Sequence, residues 1–188
     1  MKHRLTVFLI STTLAAACAA QAPGTRAKGE AVLQQAAQAG KRGDYLAAFK
    51  LLKPLAQQGN AVAQNNIAVL YQDGLGVKKN EREALKWYKK AAEQGLAEAQ
   101  FDTGLMYARG LGTKQDFAQA AKWYARAAKQ GHAEAQNNLA VRYASGTGVA
   151  RNLLQAKYWF GQAAMRGHPT AAASLRELQQ MEQSGKIK

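Results

Sequence analysis

Gly59, Gly95, Gly131 and Gly167 stand 36 residues apart without slippage, and most of the chain around them repeats in step. The same frame aligns Ala56, Ala92, Ala128 and Ala164; Trp87, Trp123 and Trp159; Tyr88, Tyr124 and Phe160; and Tyr71, Tyr107 and Tyr143. Three Gly-x-Gly turns, beginning at Gly74, Gly110 and Gly146, obey it too. A fixed period of about 20 to 50 residues marks an array of supersecondary units, none of which buries its apolar stripes alone. Neighbouring units therefore have to stack, and the fold question reduces to the shape of one unit.

In the second unit Ala84, Trp87, Tyr88, Ala91 and Ala92 fall at i, i+3, i+4, i+7 and i+8, one face of an α-helix, here helix A. Asn80, Asp116 and Asn152 precede helix A, with Glu83, Gln119 and Gln155 three residues on, the pattern of a capping box. At the far end the recurrent glycine suits a left-handed C′ position. Ala99, Thr103, Met106 and Tyr107 resume helical spacing at once, so a helix B folds back on helix A as an αα-hairpin. Small residues on helix B, Ala68, Gly104 and Ala140, let a neighbouring helix approach closely. The Gly-x-Gly turn, followed by Val77, Thr113 or Val149, leads to the next cap.

These signals divide the chain into repeats at 44–79, 80–115, 116–151 and 152–183, behind an N-terminal capping helix and loop at 29–43 and ahead of a basic tail at 184–188. The first unit carries Leu51-Leu52 where Trp-Tyr is expected and Pro54 inside helix A, which predicts a kink. The fourth replaces the helix-B tyrosine with Gln179 in a polar run, as a C-terminal cap of an array requires.

The pattern A-x-x-W-[YF]-x-x-A-A-x-x-G-x-A-x-A-Q, present from Ala84 to Gln100 and from Ala120 to Gln136, resembles the Sel1-like repeat, a relative of the tetratricopeptide repeat. The resemblance implies an all-α fold, a right-handed α-solenoid of stacked helix-turn-helix hairpins, acting as a non-catalytic protein-binding scaffold. Tetratricopeptide-like arrays line their concave face with helix A. The resemblance therefore makes Lys50, Lys86, Lys90, Lys122, Arg126 and Lys129 candidates for a basic groove, with Gln64, Gln100 and Gln136 supplying amides. Some Sel1-like relatives are described as penicillin-binding or β-lactam-hydrolysing, but they resemble a cysteine-paired subset, and this chain has one cysteine.

That cysteine belongs to the N-terminus. Lys2 and Arg4 followed by the uncharged run Leu5 to Ala17 read as a signal peptide over 1–17, too short to span a bilayer alone. Leu14-Ala15-Ala16-Ala17 before Cys18 resembles a bacterial lipobox, with Ala15 where the pattern prefers Leu, Val or Ile. It predicts lipidation of Cys18 and an exported, periplasmic lipoprotein anchored in the outer membrane. Ordinary secretory cleavage near Ala20, giving a secreted or soluble periplasmic protein, is the alternative. Residues 18–28, broken by Pro23-Gly24, read as a flexible tether.

Charge narrows the partner. The chain holds 26 Lys and Arg against 12 Asp and Glu, a net +14, and removal of Lys2 and Arg4 with the signal leaves +12. Helix-A segments sum to +6 and helix-B segments to −2. An acidic segment or surface of another envelope protein is the expected ligand, with an anionic cell-wall polymer such as peptidoglycan as the alternative. Nucleic acid would suit the charge, but export argues against it.

Nothing in the sequence assembles a catalytic set. His132 and His168 share a column with Asn60 and Leu96, which suits surface or capping roles. Glu98, Asp102 and Glu134 are isolated helix-B acids, and Ser145 and Ser174 lack a nucleophile motif. The Gly-x-Gly turns follow no strand, so they read as turns rather than phosphate cradles. No cofactor or metal is expected.

Overall fold

The computed structural model describes residues 23–185; the signal segment and Cys18 lie outside the described residues. All regular structure among them is helical: α1 (Pro23–Lys41), α2 (Tyr45–Gln57), α3 (Ala61–Asp73), α4 (Glu81–Glu93), α5 (Ala97–Arg109), α6 (Phe117–Lys129), α7 (Ala133–Ser145), α8 (Leu153–Met165) and α9 (Ala171–Gln183). The even-numbered helices are the A helices of the repeat and α3, α5, α7 and α9 the B helices. Two compact units divide between Ala99 and Gln100, inside α5. In the first, α1, α2, α3 and α4 pack in series; in the second, α6, α7, α8 and α9 do the same. This is the all-α array of helical hairpins that the period predicts.

Local chemistry fixes where each A helix begins. Asn80, Asp116 and Asn152 each accept a hydrogen bond on Oδ1 from the N–H three residues on, at 3.1, 2.9 and 3.0 Å. Only this half of the capping box forms. The cap residues' own N–H groups are taken by the carbonyls of Tyr71, Tyr107 and Tyr143, at 2.8, 2.9 and 2.9 Å. Those carbonyls clamp each inter-repeat loop onto the preceding B helix, so Glu83 is left to pair with Lys86 instead.

The A helices end in Schellman motifs. Gly59, Gly95, Gly131 and Gly167 have φ of +98, +95, +88 and +78°. The residue after each donates its N–H five residues back, as in Asn60 to Leu55 at 3.1 Å and His168 to Ala163 at 3.0 Å. This closes the turn in two residues, and helix B starts immediately.

Alanines form much of the interface between helices, and the aromatic columns fill what remains. In the second unit Ala120, Tyr124, Ala127, Ala128, Ala135 and Leu139 form one buried cluster, with Tyr143 and Trp159 against it. Ala140, Ala156, Phe160, Ala163 and Leu178 form the next. The small helix-B positions are used as predicted: a Cβ on Gly104 would lie 2.7 Å from the Tyr124 ring.

Two segments differ from expectation. The tether predicted over 18–28 stops short, because α1 already begins at Pro23. Proline is favoured at the first helical position, where its missing N–H is an orphan in any case. Gly29, buried on this helix, then brings the backbone near α2, with room for a Cβ 3.5 Å from Leu55 Cδ1. Pro54 sits in the last turn of α2, exposed, and the helix continues through it to Gln57.

Candidate functional site

The six predicted cations divide equally between the two units. Lys50 lies on α2 and Lys86 and Lys90 on α4; Lys122, Arg126 and Lys129 lie on α6. All are exposed. On α6 the three fall at i, i+4 and i+7, which puts them on one stripe of the helix. Their positions follow from the buried face: with Ala120, Trp123, Tyr124, Ala127 and Ala128 inward, the remaining stripe must face water.

Lys90 Nζ sits 4.5 Å from the Trp87 ring centroid and the Arg126 guanidinium 4.5 Å from that of Trp123. Each tryptophan is 7% exposed, so these cations cover the edge of the core and are held in place by the ring face. Neutralisation differs between the helices. Lys86 pairs with Glu83 at 3.4 Å on α4, which also carries Glu81 and Glu93. The α6 segment contains no acid, and no ion pair forms with Lys122, Arg126 or Lys129 among the described residues.

The amides predicted beside them are not surface groups. Gln64, Gln100 and Gln136 are buried, at 4%, 5% and 2% exposure. Gln64 and Gln136 each donate from Nε2 to the carbonyl of an A-helix alanine, Ala56 or Ala128, at 3.0 Å. Gln64 also accepts from Gln94 Nε2 at 2.7 Å, and Gln100 from Gln130 Nε2 at 2.8 Å. Gln64 thus braces the turn of its own hairpin against the A helix of the next, and burial takes all three amides off the surface where a ligand would meet them.

The histidines behave as structural groups of different kinds. His132 is the N-cap of α7: its Nδ1 accepts from the Ala135 N–H at 3.3 Å, and its ring stacks on Phe101 at 4.6 Å. His168 does not cap α9, whose N-cap is Thr170, and its Nδ1 is buried without a partner. Among the described residues no three His, Cys, Asp or Glu side chains come together as a metal site. Burial pushes the Tyr124 phenol above the ordinary 10.0, partly offset by the Arg142 guanidinium and by a hydrogen bond with Asn138.

Sequence reasoning missed the outer stripe of α8. At the positions equivalent to Lys122 and Lys129 it carries Tyr158 and Met165, and one turn earlier Leu154. These side chains are 54%, 80% and 73% exposed. Aligning the columns would have found the change, because the 36-residue frame makes Arg82 and Leu154, or Lys86 and Tyr158, equivalent.

The Sel1 repeat model matches residues 38–60, 61–96, 97–132 and 133–168. The chain belongs to the Sel1 repeat family. The family frame opens on helix B, half a hairpin out of phase with boundaries drawn at the helix-A caps. A Sel1 repeat protein from Oxalobacter formigenes of known structure is 39% identical, with a TM-score of 0.73 over 76% of this chain and 58% of that one. A protective antigen of uropathogenic Escherichia coli with the SLR fold is 34% identical, with a TM-score of 0.75 over 82% of this chain and 33% of that one. The Sel1 chain described here thus spans well under two thirds of either solved protein. Cysteine rich protein B of Helicobacter pylori, 20% identical, shares the fold with a TM-score of 0.56 over 71% of this chain and 96% of that one. No curated protein matches the sequence. Sel1 repeat proteins typically mediate protein–protein interaction and are generally non-catalytic scaffolds.

Proposed function

We propose that this Sel1 repeat chain is a non-catalytic scaffold of the bacterial cell envelope, exported, lipid-anchored at Cys18, and binding an acidic segment of another envelope protein through the outer stripe of its A helices. The observation that carries the binding reading is the α6 stripe: three exposed cations at helical spacing with no acid on their helix and no ion pair among the described residues. A surface that only keeps a protein soluble mixes both signs, as α4 does, whereas α6 carries cations alone. Unneutralised like charges on one face raise the local potential and favour an anionic ligand in both rate and orientation. The buried glutamines take no part.

The test is affinity capture from envelope extracts, comparing wild type with the Lys86→Glu/Lys122→Glu/Arg126→Glu variant at low and moderate salt. Proteins retained by wild type and lost by the variant are the expected result. A variant that keeps every wild-type partner refutes the basic surface, and retention of purified peptidoglycan in place of any protein replaces the partner class. Mass spectrometry of the mature N-terminus tests the anchor: a diacylglyceryl-modified Cys18 is expected, and an unlipidated peptide starting at Ala20 or beyond excludes it.

A further inference from the structure

The second unit carries one feature the basic-surface reading does not use. Along α8, Leu154, Tyr158 and Met165 form a stripe at i, i+4 and i+11, and their exposures make it the most apolar open surface on the described residues. Three large exposed side chains aligned on a single helix face differ from the randomly scattered apolar residues that any surface carries. They are not the array's end cap, since α9 packs on α8 through Phe160, Ala163 and Leu178 on the other side.

The apolar stripe lies beside the α6 cations. Trp159 of α8 packs against the cluster formed by α6 and α7. Just beyond the C-terminal ends of the two A helices, a Cβ on Gly131 would meet Arg166 Nε at 2.9 Å. The ends of α6 and α8 are therefore neighbours, as their 36-residue equivalence requires. Lys122 and Tyr158, like Lys129 and Met165, occupy equivalent positions 36 residues apart on the two A helices. Within this unit an uncompensated cationic row thus runs alongside an uncompensated apolar one.

We infer that α6 and α8 together form a two-sided docking face for an amphipathic peptide segment of the partner, acidic on the side that meets Lys122, Arg126 and Lys129 and apolar on the side that meets Leu154, Tyr158 and Met165. The inference rests on the proposed function and sharpens it by naming what the partner segment must carry. Charge complementarity selects the occupant: a second copy of this chain would bring the same cations to a face that already lacks acids. The layout favours a peptide over a membrane. Leu154 and Met165 are separated by about 16 Å along the helix axis, with the polar Gln162 one turn before Met165. This provides separated anchor points along a line and no continuous apolar plane. Aromatic and aliphatic anchors set beside cations that fix direction are the usual division of work in such interfaces.

The test uses the purified chain and a fluorescein-labelled designed peptide of four heptads with Glu on one face and Leu and Phe on the other. Two controls carry Gln for each Glu, or Ser for each apolar residue. Wild type is expected to bind the parent peptide at least about tenfold more tightly than either control. Leu154→Ser/Met165→Ser should lower affinity for the parent peptide about tenfold and leave the Ser control's weak binding unchanged. Lys122→Glu/Arg126→Glu should abolish binding of both Glu-bearing peptides. All four substituted positions are exposed, and unchanged circular dichroism melts verify folding. If the apolar double variant binds as wild type while the charge variant does not, the two-sided face is wrong and the basic surface survives. If the charge variant binds as wild type, the underlying reading falls. Three further results overturn the inference: no binding of any peptide by wild type, binding to phosphatidylglycerol vesicles that Leu154→Ser/Met165→Ser removes, or a wild-type dimer that the same variant dissociates.

Discussion

Gln94 donates from Nε2 to Gln64 Oε1 at 2.7 Å, joining the end of α4 to α3 in the hairpin before it. The pair recurs one period on as Gln130 and Gln100 at 2.8 Å. At the next step Arg166 stands where the donor amide should be and turns to Gln162 at 3.3 Å, leaving the buried Gln136 Oε1 without a partner. A buried acceptor left unpaired costs about 1–3 kcal/mol, and a restored bond returns about 1 kcal/mol net. Arg166→Gln should therefore stabilise the second unit by about 1 kcal/mol, seen as a higher urea midpoint at unchanged slope. The mirror change, Gln94→Ala, should destabilise by a similar or larger amount. An Arg166→Gln protein no more stable than wild type would mean that water serves Gln136.

Two glycines of positive φ should respond to alanine with different severity. Gly95, at φ +95°, has no atom within 4 Å of where a Cβ would sit. Gly95→Ala meets only the left-handed penalty of about 1–2 kcal/mol. Gly148, at φ +80°, lies against the backbone of Phe117 at the start of α6, and a Cβ there would overlap its carbonyl group. Backbone cannot swing aside as a side chain can, so Gly148→Ala should cost several kcal/mol beyond the dihedral penalty and lower the expression of folded protein. Equal losses in the two variants, measured by thermal melts, would show that the loop over Phe117 moves freely.

What could be read from the sequence was whatever short-range chemistry decides. The caps at Asn80, Asp116 and Asn152 and the left-handed glycines depend on neighbours within one hairpin, the Trp and Tyr columns show themselves by helical spacing alone, and 36-residue equivalence displays each of them three or four times over. The burial of Gln64, Gln100 and Gln136 depends on which helix of the next hairpin covers them, and a polar side chain on a helix gives no sign of that. The capping box failed in half for a related reason: the competing acceptor is the carbonyl of Tyr71, Tyr107 or Tyr143, nine residues away and in another helix. The apolar stripe of α8 shows in the columns as Tyr158 and Met165 opposite Lys122 and Lys129, but an apolar residue on a helix gives no sign of whether another helix covers it. The start of α1 escaped because Pro23-Gly24 is as good a helix opening as it is a loop.

Tyr124 gives the alkaline limb of stability a testable shape. Its folded-state pKa is raised by burial, so above the ordinary 10.0 the unfolded chain holds fewer protons than the folded one. Stability must then fall as pH climbs from about 10 toward the folded value, and the contribution is complete below that interval. Against pH, Tyr124→Phe should show a constant offset from wild type up to about pH 9.5 and then a narrowing one, because phenylalanine has no proton to lose. Denaturant melts of both proteins between pH 8 and 11 measure it, and parallel curves throughout would mean that the phenol ionises without leaving the core.

The last helix should be separable from the rest of its unit. α9 buries only Ala171 and Leu178, and Thr170 makes no side-chain cap bond. The 2.8 Å contact of Lys157 with Glu182 adds a pair whose acid is 46% exposed, of little energetic weight. Leu178 is therefore the main apolar anchor of α9. Loss of such a side chain from a core costs about 2–5 kcal/mol, more than a terminal helix with two buried residues can replace. Leu178→Ala should accordingly release α9 alone, with its amides exchanging near unprotected rates while those of α6 and α7 keep their protection. Glu182→Gln should leave the exchange pattern as it was. In a linear array each hairpin is stabilised by its own contacts and its immediate neighbours, so release should stop at α8, which stays docked on α7. If α6 and α7 lose protection together with α9, the second unit folds as one cooperative block, and the nearest-neighbour description does not hold for it.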